Sequence, residues 1–275
     1  MYGAILGDII GSRFEWMEFK SKEFILFSDL SHFTDDSIMT LAIALAFVLN
    51  KDKWKEAGFQ DEVVSTMLRI GRQFPTASWG ENFYKWLFED PTPYNSFGNG
   101  AAMRISSVGW IAESEDDVRY YSKLVTEVSH NHPEGLKGAE AVAMAIYLAR
   151  IGTDKEEIKK RMISYYPHIK EMQVSRIRNG YGIDSFGKFI SCQGSVPEAI
   201  VCFLESDSFE DAVRNAVSLG GDADTQAAIA GSIAEAYYGI SYEMKDKMMS
   251  YLTDNLRSIC YAFETVRKKR IQREP

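Results

Sequence analysis

The chain of 275 residues contains no apolar run near the 18 or more residues that a membrane span requires. Its longest, Leu41 to Leu49, suits a buried helix, so no membrane association is expected. The opening MYGAILGDIIGSRFEW has no basic stretch ahead of its apolar one and carries Asp8 within it, which argues against a secretory signal. Cysteine is scarce and odd in number: Cys192, Cys202 and Cys260 form no CxxC pair. That excludes a disulfide framework and predicts reduced thiols in the cytoplasm. With four histidines and no His/Cys cluster at ligand spacing, a zinc site has no candidate residues. Strand-like alternation is nearly missing, which excludes an α/β architecture. An excess of basic charge is also lacking. Thirty-one basic residues against 39 acidic give −8, which disfavours non-specific nucleic-acid binding. The last nine residues, Arg267 to Pro275, hold five basic residues and one acid, and complement the dipole at the C-terminus of a final helix.

What is present is helical pattern. Asp36 to Leu49 is apolar nearly all round and predicts a buried helix. Asp61 to Phe74 and Asp116 to Val128 have amphipathic spacing. Gly138 to Ala149 is alanine-rich, with Pro133 near its start. Pro197 to Leu204 and Phe209 to Leu219 predict shorter helices. Thr225 to Tyr238 is rich in small residues, which permits close helix packing, and Tyr242 to Arg270 predicts one long helix or a pair. Two stretches break the pattern, Glu89 to Gly100 and Arg178 to Ser195, and both predict ordered loops. Without repeats or linker composition, a single all-α domain over residues 1–275 is expected.

Two acidic clusters stand out: FTDDS, Phe33 to Ser37, and GGDADT, Gly220 to Thr225. Each precedes a strongly helical segment and joins two carboxylates to a threonine hydroxyl. Helix capping is the plain structural explanation for either alone, because Asp and Thr satisfy free N–H groups at helix starts. Two such clusters nearly 190 residues apart point instead to a shared site for hard divalent cations, which take oxygen ligands. Gly220 and Gly221 let the backbone bend sharply there.

Three further segments carry chemistry. In GDIIGSRFE, Gly7 to Glu15, residues Asp8, Gly11 and Glu15 share one helical face if the helix persists. In FGNGAAMR, Phe97 to Arg104, glycines expose backbone amides before a helix, a favourable anion site. SHNHPEG, Ser129 to Gly135, holds two histidines, of which His132 beside Pro133 reads as a helix cap.

Taken in order, GDIIGSRFE, FTDDS, GNGAAMR, SHNHPEGLKGA and GGDADTQAAIAG resemble the ADP-ribosylglycohydrolase family across Gly3 to Gly239. The pairing of TDD with GGDxDT at this separation is the specific part. Ser37 stands where many members have Thr, and Ala223 replaces a common Thr or Ser; neither change removes a charged ligand. The resemblance implies an all-α orthogonal bundle of helices and two Mg²⁺, or Mn²⁺, at the base of a cleft. It implies Thr34, Asp35, Asp36, Asp222, Asp224 and Thr225 as metal ligands. Glu15 matches an acidic residue placed on the metal or used as a movable lid. Gly98, Asn99 and Gly100 would line the ribose and diphosphate, His130 would contact ADP-ribose, and Arg104 would serve as a structural ion-pair partner.

The implied activity is cleavage of the bond between ADP-ribose and an acceptor, through an oxocarbenium-like transition state at the anomeric carbon. Glu15, Asp35 or Asp36 would orient or deprotonate the attacking water. The substrate would be an ADP-ribosylated protein, arginine-linked first, or a small ADP-ribose conjugate, handled by a monomer. Two other readings make different predictions. A non-catalytic, crystallin-like member of the same fold could lose metal ligands freely, whereas here all are present. A helical protein whose acids are only caps would bind no divalent ion.

Overall fold

The computed structural model describes residues 1–51, 53–180 and 189–271. Among them the structure is helical, with two isolated β-bridges, Met17 to Gly221 and Gly98 to Ser191, and no strand. In chain order the helices are α1 (Tyr2–Gly11), α2 (Asp35–Asn50), α3 (Phe59–Gly71), α4 (Glu81–Phe88), α5 (Gly100–Met103), α6 (Ser106–Ile111), α7 (Glu115–Thr126) and α8 (Pro133–Arg150). They continue with α9 (Lys155–Tyr165), α10 (Val174–Gly180), α11 (Cys192–Leu204), α12 (Phe209–Val217), α13 (Ala223–Tyr238), α14 (Tyr242–Tyr251) and α15 (Asp254–Ile271). No described helix is long and apolar enough to cross a membrane.

The helix starts follow local chemistry. Thr34, Ser114, His132, Asp154, Ser208 and Ser241 each accept a hydrogen bond from an N–H in the first turn of the helix they precede. His132 is therefore the cap expected of it. Helices α1, α2, α8 and α13 are buried along most of their length, which is why their sequences lack a polar face. The tightest crossing joins α1 to α13. A Cβ built on Gly3, Gly7 or Gly11 would fall 2.1 Å from Gly231 O, 2.0 Å from Ala227 O and 2.5 Å from Asp224 Cα respectively. The two helices therefore run antiparallel at backbone contact, which only glycine permits at those three positions. This crossing carries Asp8 and Asp224 to the same end of the pair.

The structure differs from the expected pattern in three places and decides a fourth. The first helix does not persist to Glu15: it ends at Gly11, passes through a 3-10 turn over Ser12–Phe14, and leaves Glu15 in the turn that follows. The Arg178 to Ser195 segment is not a loop throughout. Helix α10 runs to Gly180 and α11 begins at Cys192, taking Pro197 into its interior, while residues 181–188 lie outside the described residues. Of the two arrangements expected for the C-terminal segment, the pair is present, separated at Leu252 and Thr253. Helices α4 and α9 escape the pattern because each buries only two or three side chains: Phe83, Trp86 and Leu87 in one, Ile158 and Met162 in the other.

Candidate metal and ligand site

Segments far apart in the chain meet at one cleft of about 390 Å³. Glu15, Asp35, Asp36, Gly98, Asn99, Gly100, His130, Asp222, Asp224 and Thr225 all line it. Thr34 is buried behind this wall.

The first acidic segment is fixed from α1. The Asp8 carboxylate accepts hydrogen bonds from Thr34 N at 2.9 Å, Thr34 Oγ1 at 2.7 Å and Ser37 N at 3.1 Å, and from Ser37 Oγ. It thereby satisfies backbone N–H groups at the start of α2 that have no partner within the helix. The Thr34 hydroxyl in turn accepts from Asp36 N at 3.3 Å. The second segment is fixed by its glycines. Gly220 and Gly221 take φ of +75° and +73°, the left-handed bend that glycine allows without steric cost. Gly221 O accepts from Trp16 N at 2.7 Å, and Gly221 N donates to Met17 O at 3.0 Å. This clip brings Glu15 over the cleft, although the helix that precedes it has ended. Trp16 is held at φ +61°, a conformation a bulky residue adopts only when its surroundings impose it. Asn99 ties the third segment in: its Nδ2 lies 2.6 Å from Asp222 Oδ2, 3.0 Å from Phe189 O and 3.1 Å from Ser195 Oγ. Across the site, Thr225 Oγ1 donates to Asp36 Oδ2 at 3.1 Å.

The carboxylates converge in two groups. Oxygens of Asp8, Asp36 and Asp224 lie within 4.8 Å of one another, as do those of Glu15, Asp222 and Asp224. Asp224 belongs to both. Burial pushes Asp35, Asp36 and Asp224 well above the usual carboxylate range, and neighbouring carboxylates add to it. Burial also raises Asp8 and Asp222, against the hydrogen bonds they receive. Glu15, only partly buried, is pushed up to about 7 by burial and then by Asp222 and Asp8. Acids this close cannot all ionise without compensation, and no lysine or arginine among the described residues forms an ion pair with these acids. Asp36 Oδ1 is buried without a hydrogen-bond partner. An all-oxygen donor set with surplus negative charge and an orphaned oxygen fits hard divalent cations.

Some expected residues play other parts. Asp35 lines the cleft, but its carboxylate belongs to neither convergent group. Asp8 belongs to one of them although the sequence does not place it among the ligands. Its signal was there, a carboxylate in an otherwise apolar, fully buried helix. The GNG loop does not present a row of free amides. Gly98 N donates to Ser96 Oγ at 3.1 Å, Asn99 N donates to Ile190 O at 2.9 Å, and the helix that follows has only four residues. Arg104 forms no ion pair among the described residues, contrary to its expected role. It is buried, lines the cleft, donates from Nη2 to Ser129 Oγ at 2.7 Å, and sits 5.5 Å from the centroid of Phe83. Its neighbours are the Ser129 hydroxyl and the Phe83 ring rather than an acid.

Comparison with known proteins supplies a second line of evidence. A family model described as ADP-ribosylglycohydrolase matches residues 1–270. The ADP-ribosylhydrolase ARH3 of Mus musculus is 25% identical over 333 residues, covering 95% of this chain and 86% of that protein. The human ARH3 is 26% identical over 310 residues, covering 86% and 84%. The ADP-ribosylarginine hydrolase Tri1 of Pseudomonas putida (strain GB-1) is 25% identical over 276 residues, covering 88% and 70%. Among solved structures, one titled "ADP-ribosylglycohydrolase-related protein complex" aligns with a TM-score of 0.67 at 20% identity, covering 96% of this chain and 95% of its own. That likeness establishes the fold, the all-α bundle expected from the motifs.

Proposed function

Because the chain belongs to the ADP-ribosylglycohydrolase family, we propose that it is a single-domain, divalent-cation-dependent hydrolase that frees ADP-ribose from a modified protein side chain. Arginine-linked ADP-ribose is the favoured substrate, supported by the likeness to a protein named ADP-ribosylarginine hydrolase. Serine-linked ADP-ribose and small ADP-ribose esters are the comparisons to run. The observation that carries this function is the convergence of Glu15, Asp36, Asp222 and Asp224 on one cleft, with Asp8 buried beneath it, as two carboxylate groups sharing Asp224.

Thr34, Asp35, Asp36, Asp222, Asp224 and Thr225 would hold two Mg²⁺, or Mn²⁺, with Asp8 closing one group of carboxylates. Such ions supply Lewis acidity toward ribose hydroxyls and lower the pKa of water. The chain's own residues do the rest. Asp8 holds the start of α2 so that Asp36 faces Asp224. Asn99 orients Asp222 from the opposite wall. Glu15, Asp35 and Asp36 line the cleft and would orient or deprotonate the water that attacks the anomeric carbon. Gly98, Asn99 and Gly100, with His130 beside them, form the surface on which the ribose and diphosphate lie.

The test is to incubate the protein with arginine- and serine-linked ADP-ribosyl peptides, with Mg²⁺ and with chelator, and to quantify free ADP-ribose. Mg²⁺-dependent release, faster from the arginine peptide, is expected. Glu15→Ala and Asp35→Ala should each abolish it; full activity in both would overturn the mechanism. Release unaffected by chelator would remove the metal from it.

A further inference from the structure

His130 is buried at the cleft wall, with Ser129 Oγ 2.8 Å from its Nδ1. Its other ring nitrogen borders the ligand surface. A Cβ on Gly100 would meet His130 Nε2 at 3.1 Å, and one on Gly98 at 3.6 Å, so the two glycines of the loop are what let Nε2 come close. No described residue hydrogen-bonds Nε2. Which nitrogen carries the proton therefore decides whether His130 offers the ligand a donor or an acceptor.

The neighbours of Ser129 settle that choice. Arg104 Nη2 lies 2.7 Å from Ser129 Oγ. A guanidinium has only donors, so the serine oxygen accepts this bond. The serine's own proton then needs an acceptor inside the protein, and among the described residues the one within reach is His130 Nδ1. If Nδ1 carried the proton instead, Ser129 Oγ would accept twice and its hydroxyl proton would be buried unpaired, which is unfavourable. Arg104 also stands guard over the ring's charge: burial, and then this guanidinium, hold His130 well below the usual histidine range, so it stays neutral. Arg104 is itself fully buried without a carboxylate, and its Nε and Nη1 have no hydrogen-bond partner among the described residues. A buried, unbalanced guanidinium is costly to retain for packing alone.

We propose that Arg104 and Ser129 form a relay that fixes His130 in its Nε2–H tautomer, so that Nε2 donates a hydrogen bond to a phosphate or ribose oxygen lying over Gly98 and Gly100. The relay rests on the ADP-ribosyl reading only for the identity of that oxygen. Arg104 and Ser129 are positioning residues: they act through His130 and need not touch the ligand.

The experiment records two-bond ¹⁵N–¹H correlations of the histidine rings in ¹⁵N-labelled full-length protein with Mg²⁺, using His130→Gln to assign the His130 signals. The wild-type ring should show Nδ1 unprotonated and Nε2 protonated. Ser129→Ala should release that preference, and Arg104→Met should weaken it. Calorimetric titration with ADP-ribose should show Ser129→Ala binding about tenfold more weakly, the scale of one charge-assisted hydrogen bond. In a His130→Gln background, where the amide can donate from the same place without a tautomer to choose, Ser129→Ala should cost little. A wild-type ring protonated on Nδ1 would overturn the relay. So would a tautomer unchanged by Ser129→Ala, or an equal loss in both backgrounds. If the tautomer behaves as stated but wild-type protein does not bind ADP-ribose, the relay stands and the hydrolase function falls.

Discussion

The two ends of the α1–α13 crossing bury carboxylates alike and balance them differently. At one end Glu235 is 4% exposed, and its carboxylate meets the Met1 ammonium at 2.5 Å, Gly3 N at 2.7 Å and Arg267 at 3.4 Å. At the other end Asp224 is 2% exposed and meets other carboxylates. Both sit on the same buried helix, about three turns apart, and each is brought to its place by a glycine of α1 at backbone contact. Burial of an acid therefore does not distinguish a structural site from a functional one. The missing counter-charge does. Glu235 is part of what holds the chain together, whereas the Asp224 end carries surplus negative charge that a ligand has to offset.

That contrast can be broken in a graded way. The largest effect is expected from Glu235→Gln, which leaves the Arg267 guanidinium and the buried Met1 amine without their carboxylate. Loss of one partner of a buried pair costs about 3–5 kcal/mol, so thermal unfolding should move down sharply with and without Mg²⁺, with turnover per folded molecule unchanged. An Mg²⁺-dependent loss of stability would contradict the assignment of this end as structural. Next comes Asp224→Asn. It should lower turnover by about 10²–10³, the scale of losing one preorganised electrostatic contact, and cancel the rise in Tm on adding Mg²⁺. The metal-free protein should be more stable than wild type, because a repelling charge is gone. A third comparison uses the glycines. Gly3→Ala and Gly11→Ala both force apart backbones in contact and should each cost about 1–3 kcal/mol. Only Gly11→Ala should also lower the affinity for Mg²⁺, since its Cβ would displace Asp224. Equal effects on affinity would show that the crossing responds as one rigid unit.

The smallest effect is on pH. The acids at the Asp224 end have folded-state pKa values raised by burial, so the folded chain holds protons that the unfolded chain has released. Their contribution to stability is therefore greatest at low pH and declines as pH rises through the folded values, which for Glu15 means from its ordinary 4.5 toward about 7. In chelator, Tm should fall across that window; with Mg²⁺ the decline should flatten. A metal-free Tm that rises over the same range would show that these acids are balanced after all.

Much of this was legible beforehand. The buried helix after FTDDS, the small-residue helix after GGDADT and the His132 cap are local matters of capping and periodicity, and they appear where the sequence puts them. What misled was also local. Pro197 reads as a helix start but lies inside α11, and Glu15 reads as the last turn of a helix that ends at Gly11. Glu15 is delivered by a backbone clip to Gly221, a contact with no signature in its own segment. Arg104 was expected among acids and lies among hydroxyl and aromatic groups.

By itself the sequence determined the helical class, the two acidic clusters at helix starts, the family resemblance and the oxygen-rich character of the donor set, because these follow from residue type and near-neighbour spacing. Tertiary structure alone decided that Asp8 joins Asp36 and Asp224, that Asp35 stands outside both groups, that Asn99 orients Asp222, and that Arg104 reaches His130 through Ser129. These are pairings between residues separated by tens to hundreds of positions. The meeting of Asp8 with Asp224 depends on how closely two helices can approach, and three glycines on α1 set that distance.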